Sequence, residues 1–77
     1  MAVRLSNIPL KTFKDYLRWK GLKCYRIKGG HEVWGCSGLT RPIVFQSHID
    51  PVPEFILMQT IRNLNADKAD FIAFLSQ

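Results

Sequence analysis

Long apolar runs, closely spaced metal ligands, a glycine-rich phosphate loop, repeats and low-complexity segments are all missing from this chain. No stretch approaches the roughly 20 apolar residues that a membrane-spanning helix needs. The first residues, MAVRLSNIPLK, hold neither the apolar segment nor the small-residue cleavage site of a secretory leader, so a cytoplasmic location is expected. Cysteine is scarce, with Cys24 and Cys36 alone. The hairpin register read below turns them to opposite faces of a sheet. Reduced thiols acting as small buried hydrophobes are therefore expected in place of a disulfide. No C-x2–4-C or H-x3–5-H pair occurs, which removes the usual spacing of structural zinc, and Cys24, His31, Cys36 and His48 are not assigned as a metal site. Gly29-Gly30 does not lead into a helix, so it is no nucleotide-binding fingerprint. Ser47 beside His48 has no third group to orient it as a nucleophile. No metal and no cofactor are expected.

Acidic residues are few as well: six, against 11 Lys and Arg, for a net charge of +5 in 77 residues. The imbalance is uneven. Residues 1–41 hold nine of the basic residues with only Asp15 and Glu32 against them. Residues 42–77 hold Arg62 and Lys68 against Asp50, Glu54, Asp67 and Asp70. A basic half points to a polyanion, most simply nucleic acid, and equally describes a solubilising surface. With 47% hydrophobic residues the chain has enough apolar material for a core and does not read as disordered. At this length it forms one domain, 1–77, which buries only about 60% of its unfolded surface.

Local patterns give the elements. Ser6-Asn7-Ile8-Pro9 predicts a helix start with a capping side chain and a proline in the first turn. Leu10, Phe13, Leu17 and Lys20 or Gly21 follow helical spacing, and Gly21 stops the helix. Two alternating arms, Lys23–Lys28 and His31–Cys36, meet at Gly29-Gly30, a strong hairpin signal because glycine reaches positive φ without steric cost. This register sets Lys28 opposite His31, Arg26 opposite Val33, Cys24 opposite Gly35 and Lys23 opposite Cys36. Tyr25 and Trp34 then share a face with Ile27, as cross-strand packing beneath helices or as a stacking platform for bases. Pro42–Ser47 reads as a third strand. Asp50-Pro51-Val52-Pro53 leads into a helix over Glu54–Leu64 with Ile56, Leu57, Ile61 and Leu64 on one face. Asn65 ends it, and Asp67 caps a last short helix bearing Phe71, Ile72, Phe74 and Leu75. The predicted fold is α+β, in the order α-β-β-β-α-α, with a three-stranded antiparallel meander and helices on one face.

In such a meander strand two begins where strand three ends, so His31 and His48 fall at the same end of the sheet. Pairing back along the ladder sets His31 opposite Ser47 or His48. Imidazoles ordinarily titrate near neutrality. Two of them beside Arg26 and Lys28 suit RNA self-cleavage, in which one group takes the 2′-hydroxyl proton, another protonates the departing 5′-oxygen, and cations hold the phosphate. The plainer reading of each is a polar residue beside a turn, and for His48 a hydrogen bond to the turn before Pro51.

A lysine-bearing helix, then Arg26-x-Lys28-Gly29-Gly30-His31, a third strand ending at His48, a helix and a final ADFIAFL together resemble the HicA (YcfA-like) toxins. The likeness runs from about Leu10 to Leu75. That resemblance implies a double-stranded-RNA-binding-domain-like fold, metal-independent cleavage of mRNA, and inhibition by a cognate HicB-type antitoxin that covers the site. Carried onto this sequence, His31 is the catalytic residue and His48 a candidate partner. Arg26, Lys28, Gly29 and Gly30 would hold phosphate, with Lys11 and Lys14 guiding the backbone. Two positions depart from the family pattern. Gly30 stands where Ser or Thr is usual, and Phe55-Ile56-Leu57 stands where Gly-Thr-Leu usually opens the helix. Two other functions stay open: a non-catalytic RNA-binding module of the same fold, and a basic domain that docks an acidic protein.

Overall fold

Three helices and three strands follow one another in the expected order in a computed structural model, which describes residues 5–77. Arg4, one of the basic residues counted above, lies outside them. The elements are α1 (Leu10–Trp19), β1 (Lys23–Lys28), β2 (His31–Gly35), β3 (Ile43–Gln46), α2 (Glu54–Asn63) and α3 (Lys68–Leu75). The strands form one antiparallel sheet in the order β1-β2-β3, leaving β1 and β3 as its edges.

One sheet face is covered. Ile43 and Phe45 of β3 are buried while Val44 and Gln46 between them are exposed, the period-two signature of a half-buried strand. Phe13 of α1 meets Phe45 edge-on, with ring centroids 4.9 Å apart, and ties that helix to the sheet. Tyr16, fully buried and one helical turn on from Phe13, meets Phe71 of α3 at 4.8 Å, so the helix also carries the third helix. Helical spacing runs the α1 stripe through Leu10, Phe13, Leu17 and Lys20 or Gly21. Tyr16 widens it, as the broader apolar face of a core helix requires.

The start of α1 differs from the expectation. Neither Ser6 nor Asn7 caps it. Pro9 occupies the N-cap position, and the Leu10 amide donates instead to Asp50 Oδ1 at 2.9 Å, from 40 residues away. A neighbouring bridge, Val52 N–H to Ile8 O at 2.8 Å, fastens the two segments together. The predicted stops hold. Gly21 (φ 90°) and Asn65 (φ 56°) take left-handed conformations, and Leu22 and Ala66 reach back to the Leu17 and Ile61 carbonyls. Asp67 caps α3 through the Asp70 amide at 3.0 Å.

The hairpin register holds only near the turn. Lys28 faces His31 and Arg26 faces Val33, but beyond that Cys24 faces Trp34 and Lys23 faces Gly35, because Tyr25 is the extra residue of a β-bulge. Tyr25 and Trp34 are therefore not a cross-strand pair. Trp34 is buried among the helices, whereas the Tyr25 ring is 61% exposed and lies over Gly35 on the open face, 2.9 Å from where a Cβ would stand. The bulge also leaves Cys24 exposed, contrary to the expected buried thiol; Cys36 is half-buried against the core. The two thiols are unpaired.

Candidate functional site

Gly29 and Gly30 both have positive φ, 59° and 79°, the requirement of the tight hairpin turn whose twist suits its strands. That turn presents His31 as the first residue of β2, exposed, directly across from Lys28 on one side and Gln46 on the other. The ladder thus sets His31 opposite Gln46, one step short of the expected Ser47 or His48. The reason is that Ser47 pairs with the turn itself: its amide and hydroxyl both donate to the Gly30 carbonyl, at 2.7 and 3.0 Å. His48, also exposed, follows immediately, and its Nδ1 lies 3.5 Å from the point where a Cβ on Gly30 would be. Both imidazoles therefore flank Gly30. A serine at this position would take a left-handed backbone, with its Cβ in ordinary van der Waals contact with the His48 ring.

Directly opposed residues point to the same face, and so do residues two apart on a strand. Two rows consequently cross the sheet on its open side: Lys28, His31 and Gln46, then Arg26, Val33 and Val44. Among the described residues, Arg26 and Lys28 have no carboxylate within ion-pair distance. Glu32, the one acidic residue of the three strands, points to the opposite face. The His31 Nδ1 is 3.3 Å from the Gly29 carbonyl oxygen. With its proton on Nδ1 the ring donates there and turns the Nε2 lone pair outward, the tautomer a general base needs.

The α1 lysines stand apart from this cationic face. Lys11 is exposed and within 3.3 Å of Asp15, a pairing weak enough to leave its charge available. Lys14, expected to guide a phosphate backbone, is instead engaged beneath the sheet, with Nζ 2.9 Å from Glu32 Oε2. Glu32 is 2% exposed and also accepts from Trp34 Nε1 at 2.9 Å, while the Arg18 guanidinium stands over the Trp34 ring. Burial pushes the Glu32 carboxyl up, but the hydrogen bonds from Lys14 and Trp34 and the charges of Lys14 and Arg18 outweigh it and hold the group below its ordinary range. Sequence reasoning missed this buried carboxylate. The signal was present: a strand that buries Trp34 must turn the residue two before it to the same face.

A second paired carboxylate lies across the core. Tyr16 Oη donates to Asp70 Oδ2 at 2.7 Å and Lys20 Nζ sits 3.0 Å from the same oxygen. The Tyr16 hydrogen bond outweighs the opposing effect of burial and, with Lys20 adding to it, holds the Asp70 carboxyl low. Burial first, then Asp70, push the Tyr16 phenol well above its ordinary value. Both carboxylates serve the packing of α1.

Beside His31 the sheet edge opens into an apolar groove of about 380 Å³, walled by β3, the Ile49–Pro53 segment and the first turn of α2. Among the described residues no cluster of three or more potential metal ligands occurs, and no helix is long and apolar enough to cross a membrane. Comparison of the chain with family models, with curated proteins and with solved structures returned no match.

Proposed function

We propose that this protein is an RNA-directed endoribonuclease of the HicA type, acting through His31 on the open face of the sheet. The observation that carries the proposal is the placement of an exposed imidazole opposite Lys28 and one row from Arg26, on a sheet face whose strands contribute no carboxylate. His31 Nε2 takes the proton of a ribose 2′-hydroxyl, which attacks the adjacent phosphorus. The bond to the 5′-oxygen breaks, leaving a 2′,3′-cyclic phosphate and a 5′-hydroxyl that receives its proton from a second group. His48, across Gly30 from His31, is the candidate donor. Its ring borders the point where a side chain at position 30 would begin, so an imidazole stands beside the place that a hydroxyl residue would take. Lys28 and Arg26 stabilise the charge that gathers on the phosphate oxygens. The natural partners in this reading are mRNA and an antitoxin of HicB type that covers the cationic face.

Controlled expression of the wild type and of His31→Ala, followed by growth and transcript integrity, tests it. Growth arrest with fragmented transcripts is expected from the wild type alone, with purified His31→Ala retaining the wild-type unfolding midpoint because the ring is exposed. Transcript cleavage by His31→Ala at the wild-type rate overturns the assignment. Retained RNA affinity with no cleavage by either form returns the non-catalytic RNA-binding module.

A further inference from the structure

The apolar groove at the β3 edge shares His31 with the cationic face, and this juxtaposition has a chemical meaning. Its walls are mainly apolar: Val44, Ile49 and Phe55 line it, and Phe55 is 70% exposed at the first turn of α2, off the stripe that Leu57 and Ile61 bury. Its polar members are His31 and Gln46, which face each other across the ladder. A concave apolar surface with one exposed aromatic ring and one amide suits a flat heterocycle: the ring stacks and the amide reads its edge. The rows across the sheet set the direction. A nucleotide whose phosphate lies at Lys28 and His31 has its base on the Gln46 side, where the groove opens. The cations stand on one flank of His31 and the apolar surface on the other, which matches the division of a nucleotide into anionic backbone and neutral base.

We propose that this groove is a base-binding subsite for single-stranded RNA, with Phe55 as the stacking residue and Gln46 as the residue that sets base preference. The proposal rests on the RNA-directed reading above and adds to it the strandedness and the source of sequence preference. Paired RNA keeps its bases stacked inward and cannot fill the groove, so the substrate is unpaired at the cut.

The test uses the full chain with 2′-O-methyl RNA oligonucleotides, which cannot be cleaved, and compares a base-bearing oligomer with one of the same length carrying a single abasic site. Fluorescence anisotropy at low salt gives the affinities. Wild type is expected to bind the base-bearing oligomer about tenfold tighter at the optimal abasic position, Phe55→Ala to lose that preference, and Phe55→Trp to keep it. Gln46→Leu is expected to alter the ranking of oligomers that differ only in that base. A preference unchanged in Phe55→Ala overturns the subsite, as does a wild type that binds the base-bearing and abasic oligomers equally. Either result leaves cleavage by His31 standing. Failure of the wild type to bind any oligomer, by contrast, overturns the RNA-directed reading itself.

Discussion

At the scale of single residues, the buried Glu32 carboxylate decides how the sheet and α1 hold together. Lys14 is its only cation within hydrogen-bond distance among the described residues, and Trp34 Nε1 satisfies the other oxygen. Lys14→Met removes the cation and keeps the aliphatic contact. Breaking a fully buried pair costs about 3–5 kcal/mol; Lys14 is partly exposed, so about 2–3 kcal/mol is expected at neutral pH. The pH dependence separates this from lost packing. In the wild type the Glu32 carboxyl is held below its ordinary value, so its contribution is present above the unfolded pKa and is lost as pH falls through the folded one. In Lys14→Met burial dominates, the folded value rises above the unfolded one, and protonation favours the folded state. The gap between the two proteins therefore closes as pH falls below about 5, measured by urea midpoints. A gap constant down to acid unfolding would refute the assignment. Tyr16→Phe addresses the other carboxylate: losing the 2.7 Å bond to Asp70 in a buried position is expected to lower stability by about 1–2 kcal/mol, measured by urea unfolding, with Lys20 still holding the acid.

Elements were legible in the sequence where their signals are local. The Gly29-Gly30 turn, the Gly21 and Asn65 stops and the Asp67 cap each depend on a residue's own backbone or on a partner three residues away, and each stands where the pattern put it. Signals that fail are those decided across the fold. The α1 N-terminus was read from Ser6 and Asn7, its neighbours in sequence, but the amide it leaves free is satisfied by Asp50, which no local rule could select. The Tyr25 bulge has no glycine or proline to announce it, yet it shifts the register and so separates two aromatics that a regular ladder sets on one face, Trp34 into the core and Tyr25 onto the surface. For the candidate site, His31 with Lys28 and Arg26 was readable because all three lie within three residues of the turn, whereas the base groove draws on β3, the segment after it and α2 at once. Asp50→Ala tests the long-range cap. Its expected cost is about 1 kcal/mol, as for other N-cap losses. Hydrogen exchange should locate that loss at the first turn of α1 and at the Ile8–Val52 bridge, with the hairpin amides unchanged. Equal loss throughout the hairpin would show that Asp50 acts otherwise.

Over the whole molecule, the ion pairs sort the positive charge into two populations. Lys11, Lys14, Arg18 and Lys20, all on α1 or just after it, stand within pairing distance of Asp15, Glu32 or Asp70. Among the described residues Lys23, Arg26, Lys28 and Arg41 do not, and only Arg26 and Lys28 of these stand in the rows beside His31, so the net charge of the first half overstates the number of cations concentrated there. This has a measurable consequence for an RNA-binding protein. Each phosphate neutralised on a single strand contributes about −0.7 to the slope of log affinity against log salt. Engagement by Arg26, Lys28 and at most one further cation gives a slope of about −1.4 to −2, whereas all nine basic residues of the first half would give about −6. Affinities for uncleavable RNA between about 50 and 200 mM salt supply the slope. Lys28→Ala should reduce its magnitude by about 0.7, and Lys14→Met, whose charge faces Glu32, should leave it unchanged. Reversal of those two effects would move the phosphate path from the hairpin face to α1, and would take His31 out of reach of the bond it is proposed to cut.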